Sequence, residues 1–395
     1  MVNKFKNWFS NQSDKVKTSV KVPSDAPFFY LALIFILILA VLVRMSPVIT
    51  GTYLIKAFDP WYQFSSTKAV INMSLYDWFH FHDYQFWFPE GVDRFGLRPG
   101  LLYTTAIIYW IITAIGIPVT PFQVAFYFPA FMGGATVLVM YFLGKEILDR
   151  RAGLIAAFFL AFSPGHMQRT VAGFYDNETI GVFAVLLVFL FFIKAVKSGK
   201  ISNGIYAGLS LGYLALSWGG LTYPFLLIPL LVAILILADK YNSRILLAYS
   251  TTIGIGLLIF SLGPAFVWTR MIREMDFIVP LLFFAFLVVY HLLYMQRDTE
   301  VYTKILTGIK WASIPIIIIA LIIFWQFPDL IPFNLAARLE SIINPSIRED
   351  IHLVASVGEH APSPWSAFYF NSLIPLLLLA PGYFLQSAAE IQKIF

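Results

Sequence analysis

The sequence predicts an all-α polytopic membrane protein, and three observations carry that prediction. Only 12% of its 395 residues are charged, where a soluble domain carries about 25%. The chain is 59% hydrophobic with a mean hydropathy of +0.76. Its apolar residues gather in runs of about 20, the length a helix needs to cross hydrocarbon, which favours helices over a barrel. With so few charges a 44.8 kDa chain could not cover its own surface in water, so a soluble globular enzyme is excluded. There is no cysteine, which excludes a disulfide scaffold, and disorder fails for want of polarity. The net charge of +5 and the pI near 9.1 read here as basic loops against anionic lipid, with no nucleic-acid partner.

Residues 1–25 form a polar cytoplasmic tail carrying Lys4, Lys6, Lys15, Lys17 and Lys21. The apolar run from Phe28 to Val48 that follows is too long for a signal peptide and has no small-residue cleavage site, so it reads as a retained anchor. A first outer loop, 49–121, comes next. Its apolar stretch Leu101–Val119 cannot be a span without placing the basic segment Lys145–Arg151 outside. Laid along the outer surface as an interfacial or re-entrant helix, it lets every later loop fall into the positive-inside register. Spans are then expected at roughly 122–144, 152–164, 179–193, 203–218, 222–238, 245–263, 277–295, 311–327 and 367–385, ten in all with the first. The outer face is net acidic and the inner face net basic.

Within these elements some features read as structure alone. Span 152–164 is short and should be distorted or tilted. Gly204, Gly208 and Gly212 stand four apart, the spacing that lets helices approach closely. The segment Trp78-Phe-His-Phe-His-Asp-Tyr-Gln-Phe-Trp-Phe-Pro89 is too polar to span and too aromatic to float free, so it belongs at headgroup level. His80 and His82 in it read as interfacial hydrogen-bonding groups in preference to metal ligands.

Ion-coupled carriers keep ionisable groups near the midplane. Here the spans are almost empty of them, His291 and the edge residue Arg44 being the nearest, and this disfavours a transporter or flippase. The carboxylates lie beyond the outer helix ends in three clusters. They are Asp59-Pro-Trp-Tyr, Arg169-Thr-Val-Ala-Gly-Phe-Tyr-Asp176-Asn177-Glu178 in an acidic loop at 165–178, and Ser356-Val-Gly-Glu359 in a fifth outer loop at 328–366. Brought together, such oxygens suit a hard divalent cation, manganese or magnesium.

These motifs, with Phe86-Trp-Phe-Pro-Glu-Gly and Arg98-Pro-Gly-Leu-Leu-Tyr in the first outer loop, resemble the catalytic subunit of oligosaccharyltransferase in its archaeal AglB form. That family consists of membrane glycosyltransferases of the GT-C class, and the resemblance runs through essentially all 395 residues. It implies transfer of an oligosaccharide from a polyprenyl (dolichyl) phosphate or diphosphate carrier to asparagine in Asn-X-Ser/Thr, on the extracytoplasmic side of the cell membrane. It implies Asp59 and Glu359 as catalytic groups facing the acceptor amide, and Asp59, Asp176, Glu178 and Glu359 as metal ligands. It places Arg169 and Ser356 on the substrate side. A lipid-linked donor, an acceptor polypeptide and membrane lipid are the implied partners.

The family's soluble carboxyl-terminal domain, whose Trp-Trp-Asp-Tyr-Gly motif reads the Ser/Thr of the sequon, has no counterpart here. A separate chain or a further domain is therefore expected to supply it. The alternative reading is a GT-C polyprenyl-phosphate sugar transferase acting on hydroxyl or lipid acceptors.

Overall fold

The computed structural model describes residues 26–93, 98–262 and 275–326, with Asn344 and most of 364–370. Helices stand at nine of the ten expected spans, and the tenth, 367–385, lies almost wholly outside the described residues. In order, α1 is Ala26–Arg44 and α2 is Ser46–Ile49. The segment 50–120 holds α3 (Phe58–Ile71), α4 (Leu75–His80), the two-residue strands β1 (His82–Asp83) and β2 (Val92–Asp93), and α5 (Gly100–Ala114). Then come α6 (Pro121–Ile147), α7 (Arg150–Phe162), the short α8 (Pro164–Gln168), α9 (Glu178–Ser198), α10 (Ile201–Ser217) and α11 (Thr222–Leu237). The series continues with α12 (Ser243–Ser261), α13 (Met275–Tyr294) and α14 (Glu300–Gln326).

Among the described residues, six helices are long and apolar enough to cross a membrane. They are Pro27–Arg44, Pro121–Ile147, Glu178–Ser198, Gly219–Leu237, Ser243–Ser261 and Phe277–Tyr294. The protein is a multi-pass membrane protein. α5 has only 15 residues, short of a full crossing. α7 has 13 and ends where Ser163-Pro164 turns the chain into α8. The starts of α6 and α7 are chemically marked. Thr120 and Gln123 form a reciprocal capping box with Pro121 at the first helical position, and Asp149 caps α7 by accepting from the Ala152 N–H at 2.8 Å. α14 begins eleven residues before the expected 311. Glu300 and Lys304, one turn apart at 3.3 Å, carry the helix through a polar stretch that hydropathy alone reads as loop.

Two cores organise the chain. The larger joins α9, α10, α11, α12 and α13. Gly204, Gly208 and Gly212 line α10 where it meets α12, and a Cβ on any of them would collide with Thr251, Ile255 or Ile259. The expected close approach is therefore the α10–α12 seam. The second core gathers Ile55, Val70, Leu101, Leu102, Ala106, Ala125, Phe128, Tyr175 and Ile180. Trp78 is part of it. It is buried and stacked on Tyr103 at 4.4 Å and Trp110 at 5.3 Å, with its indole N–H donating to Val70 O at 3.1 Å. This residue therefore points inward, away from the headgroup position expected for its segment. Its neighbours Trp87 and Phe88 remain exposed. His80 and His82 hydrogen-bond locally, His80 Nδ1 meeting Tyr76 O and His82 meeting Asp93 and Glu90 O.

Candidate active site

The site begins where the chain leaves α1. Ala57 adopts a left-handed φ of 70° and turns the backbone into α3. That puts the exposed Asp59 in the first helical turn, where the free N–H groups and the helix dipole favour a carboxylate. Pro60, also in the first turn, sacrifices no helical hydrogen bond.

The second element is the loop from Ser163 to Asn177. Its backbone is tied to the first loop at Gly173, whose N–H donates to Phe126 O and whose carbonyl accepts from the Lys56 N–H, both at 2.9 Å. Gly173 has φ +86°, and a Cβ there would run into Leu54 O, so only glycine fits the crossing. Two residues on, Tyr175 is fully buried. Its hydroxyl lies 2.7 Å from Thr105 Oγ1 on α5 and 2.8 Å from Thr67 Oγ1 on α3. The same α3 that carries Asp59 therefore holds the residue next to Asp176.

Asp176, Asn177 and Glu178 follow at the amino-terminal end of α9. Asp176 is 8% exposed and its Oδ1 accepts the Asn177 N–H at 2.7 Å. Burial first, then the neighbouring Glu178 and Asp59 charges, push its carboxyl up to about 7, against the smaller opposing effects of the Asn177 N–H and Arg169. Glu178 Oε1 stands 3.6 Å from Arg169 Nη1, while the guanidinium lies 5.2 Å over the Phe174 ring. Glu178 Oε2 and Asn177 Oδ1 are buried with no hydrogen-bond partner. Buried carboxylate oxygens in a like-charged neighbourhood, with one arginine as counter-charge, are short of positive charge. Their donors are all hard oxygens. They have the chemistry of ligands to a hard divalent cation.

Of the expected site residues, the structure brings Asp176, Glu178 and Arg169 together, with Asp59 close enough to raise the Asp176 carboxyl. Ser356 and Glu359 lie outside the described residues. Among the described residues, no cluster of three acidic or histidine groups meets the geometry of a metal site. Sequence reasoning gave no role to Tyr175, Gly173 or Arg44. The first two lie inside the acidic motif, where Gly173 carried a readable signal as a glycine among bulkier residues.

The residues 27–395 match the family described as "Oligosaccharyl transferase STT3, N-terminal". The chain belongs to the STT3 family. It is 31% identical over 353 residues to the dolichyl-diphosphooligosaccharide–protein glycosyltransferase subunit STT3B of Arabidopsis thaliana, covering 88% of this chain and 48% of that one. It is 32% identical over 348 residues to the STT3 subunit of Saccharomyces cerevisiae, covering 87% and 48%. This STT3 chain thus spans about half the length of the curated relatives it matches.

Its fold is that of the oligosaccharyltransferase of Archaeoglobus fulgidus. The apo crystal structure aligns with a TM-score of 0.62 at 21% identity, covering 82% of this chain and 40% of that one. The same archaeal protein, AglB, has been solved with an inhibitory peptide and a dolichol-phosphate (TM-score 0.60, 21% identity, 80% and 39% covered). It has also been solved with zinc and sulfate (0.59, 22%, 80% and 43%).

Proposed function

We propose that this STT3 chain carries the membrane-embedded, metal-binding half of an oligosaccharyltransferase. The reaction is transfer of an oligosaccharide from a dolichyl-type lipid phosphate or diphosphate to the asparagine of an Asn-X-Ser/Thr sequon. The observation that carries this reading is the Asp176–Glu178 pair at the start of α9, with Asp176 buried, one Glu178 oxygen unpartnered, and Asp59 near enough to raise the Asp176 carboxyl. Family membership and the dolichol-phosphate and peptide bound by archaeal AglB support it.

An asparagine amide is a poor nucleophile, because its nitrogen lone pair is delocalised into the carbonyl. Asp59 and Glu359, as acceptors for the two amide N–H groups, would turn the nitrogen towards the sugar carbon and take up the developing positive charge. Asp176 and Glu178, with Asp59 and Glu359, would hold the cation. When bound, a divalent cation supplies positive charge against the departing phosphate. Arg169 keeps Glu178 in place and offers a second positive group on the substrate side, where Ser356 also belongs. The loops bearing these residues face the extracytoplasmic side in this reading.

The test is transfer of glycan from a polyprenyl-linked donor to a labelled Asn-X-Thr peptide, with the chain supplemented by a sequon-reading domain. Transfer should stop in excess EDTA and return with manganese or magnesium. Full activity in EDTA would remove the metal assignment. Transfer to a simple alcohol or lipid acceptor, with none to the peptide, would favour the hydroxyl-acceptor alternative.

A further inference from the structure

Arg44 closes α1 and is completely buried. Its recorded hydrogen-bond partners are all neutral. Nε donates to Thr170 Oγ1 at 2.7 Å, Nη1 to Ala40 O and Ala161 O at 2.9 Å each, and Nη2 to His166 Nδ1 at 2.9 Å. A buried cation without a carboxylate is costly. Two features offset that cost. Ala40 and Ala161 lie near the carboxyl-terminal ends of α1 and α7, the negative ends of their dipoles. Gly133 of α6 gives up its side-chain space to the guanidinium, since a Cβ there would collide with Arg44 Nε and Cδ.

If the only requirement were to fill space, Leu or Met would do it without desolvating a charge. What the arginine adds is a planar fork that reaches three chain segments at once. Two of its partners, His166 and Thr170, belong to the loop that leads to the carboxylates. Thr170 Oγ1 in turn donates to His166 O at 2.7 Å, and the Ala172 N–H donates to Arg44 O at 2.8 Å. Arg169, the partner of Glu178, sits between these anchors. The loop from 161 to 172 is thus fastened to the end of α1 at four points, just before Gly173 and Tyr175 fasten the rest. His166 accepts from the guanidinium through Nδ1 and so is neutral there. Burial, and then the Arg44 charge, hold its ring well down, at about 4.

We propose that Arg44 is a positioning residue for the reaction, its guanidinium holding the 161–172 segment so that Asp176 and Glu178 are presented preformed to the cation. The inference rests on the metal reading of the proposed function, and its test separates the two. Mn2+ binding to the detergent-purified chain is followed by the EPR signal of free Mn2+, with thermal melting in EDTA measured in parallel. Arg44→Met should weaken Mn2+ binding by about 10–100-fold, the range seen when a group orienting a metal ligand is removed. Arg44→Lys keeps the charge but not the fork and should fall between Arg44→Met and the parent. Thr170→Val is close in shape, removes both the bond from Arg44 Nε and the bond to His166 O, and should weaken binding by roughly fivefold or more.

Gly212→Leu, in the α10–α12 seam, should lower melting and leave Mn2+ affinity unchanged in the folded fraction. Parent-like Mn2+ affinity in Thr170→Val, and in Arg44→Met where it folds, overturns the assignment and leaves Arg44 a purely structural group. A parent chain that binds no Mn2+ overturns the metal reading itself and this inference with it.

Discussion

The α10–α12 seam and the 161–178 loop are both tightly held, but by opposite means. In the seam, three glycines on one helix face let two backbones meet, and every contact is steric or apolar. Between the end of α7 and the start of α9 the loop has only the short helix α8 as regular structure. Arg44, Gly173 and Tyr175 fix it through hydrogen bonds that cross from α1, α3, α5 and α6. A membrane helix satisfies its own backbone and needs only a surface to pack against. An irregular segment beside it must find outside partners for each polar group. The loop therefore takes a single shape only where several distant residues agree on it, which is the condition for holding carboxylates close together against their repulsion. The seam packs without internal conflict, whereas the loop brings like charges together at a cost.

The largest effect that would test this division is Asp176→Asn. If the loop's carboxylates serve chemistry at the expense of stability, peptide glycosylation should fall by about 100-fold or more, the scale of losing one key electrostatic group. Melting in EDTA should stay level or rise, because a buried carboxyl crowded by Glu178 and Asp59 has become neutral. A lower melting temperature would mean that the acidic pair braces the fold, and the contrast would collapse.

Gly208→Leu tests the other side. Its new side chain meets Ile255 Cβ at 2.6 Å and the Thr251 carbonyl at 2.9 Å. Overpacking of this kind costs about 1–3 kcal/mol, and a backbone neighbour cannot step aside. Melting should drop by several degrees, while transfer per folded molecule stays at the parent level. Equal loss of transfer and of fold would show the two regions to be one cooperative unit.

The seam and the site differ too in how far they could be read in advance. The span register, the glycine stripe and the acidic motifs each follow from residues close in sequence: periodic hydropathy, spacing of four, carboxylates two apart. The ties that shape the loop join residues far apart. Arg44 and Thr170 are separated by 126 positions, and Thr67 and Tyr175 by 108. A lone arginine at the edge of a span reads as one that reaches for the headgroups, and nothing local to Arg44 says that Gly133 makes room for it. Trp78 misleads for a similar reason. An interfacial belt and a stacked core demand the same aromatic residues, and only the positions of Tyr103 and Trp110 decide between them. Ser356 and Glu359 were legible as a motif and lie outside the described residues.

Tyr175→Phe sharpens the contrast at finer scale, removing one hydroxyl and no packing. Thr67 Oγ1 keeps its bond to Gln63 O at 2.8 Å, whereas Thr105 loses the donor from Tyr175. The cost should be about 1 kcal/mol for a hydrogen-bonding hydroxyl in a buried network. It should appear as faster amide exchange at 172–177 with the seam unchanged. Uniformly faster exchange across α10 and α12 would mean that the loop and the bundle share one opening.

The smallest expected effect lies in the hairpin from His82 to Asp93. There His82 Nδ1 is 2.7 Å from Asp93 Oδ1 and Nε2 is 2.9 Å from Glu90 O. A carboxylate and a carbonyl can only accept, so a ring that satisfies both must carry both protons. The hydrogen bond to Asp93 first, then that to Glu90 O, hold the His82 pKa above its usual 6.5, with the Asp93 and Asp83 charges adding to them. For a group whose pKa is raised on folding, the stabilisation is fully present below the unfolded pKa and is lost as pH rises through the folded one. The hairpin should therefore be closed at pH 6 and loosen progressively above about 6.5. The change would be visible as increasing amide exchange over 82–93, beyond the intrinsic pH dependence, with the loop at 172–177 unaffected. His82→Asn should flatten that dependence at little cost to overall melting, because the pair is exposed and water screens it. An unchanged pH profile in His82→Asn would place the hairpin's closure in its aromatic contacts, Phe86 against Tyr62 at 4.8 Å, and would make it an apolar device like the seam.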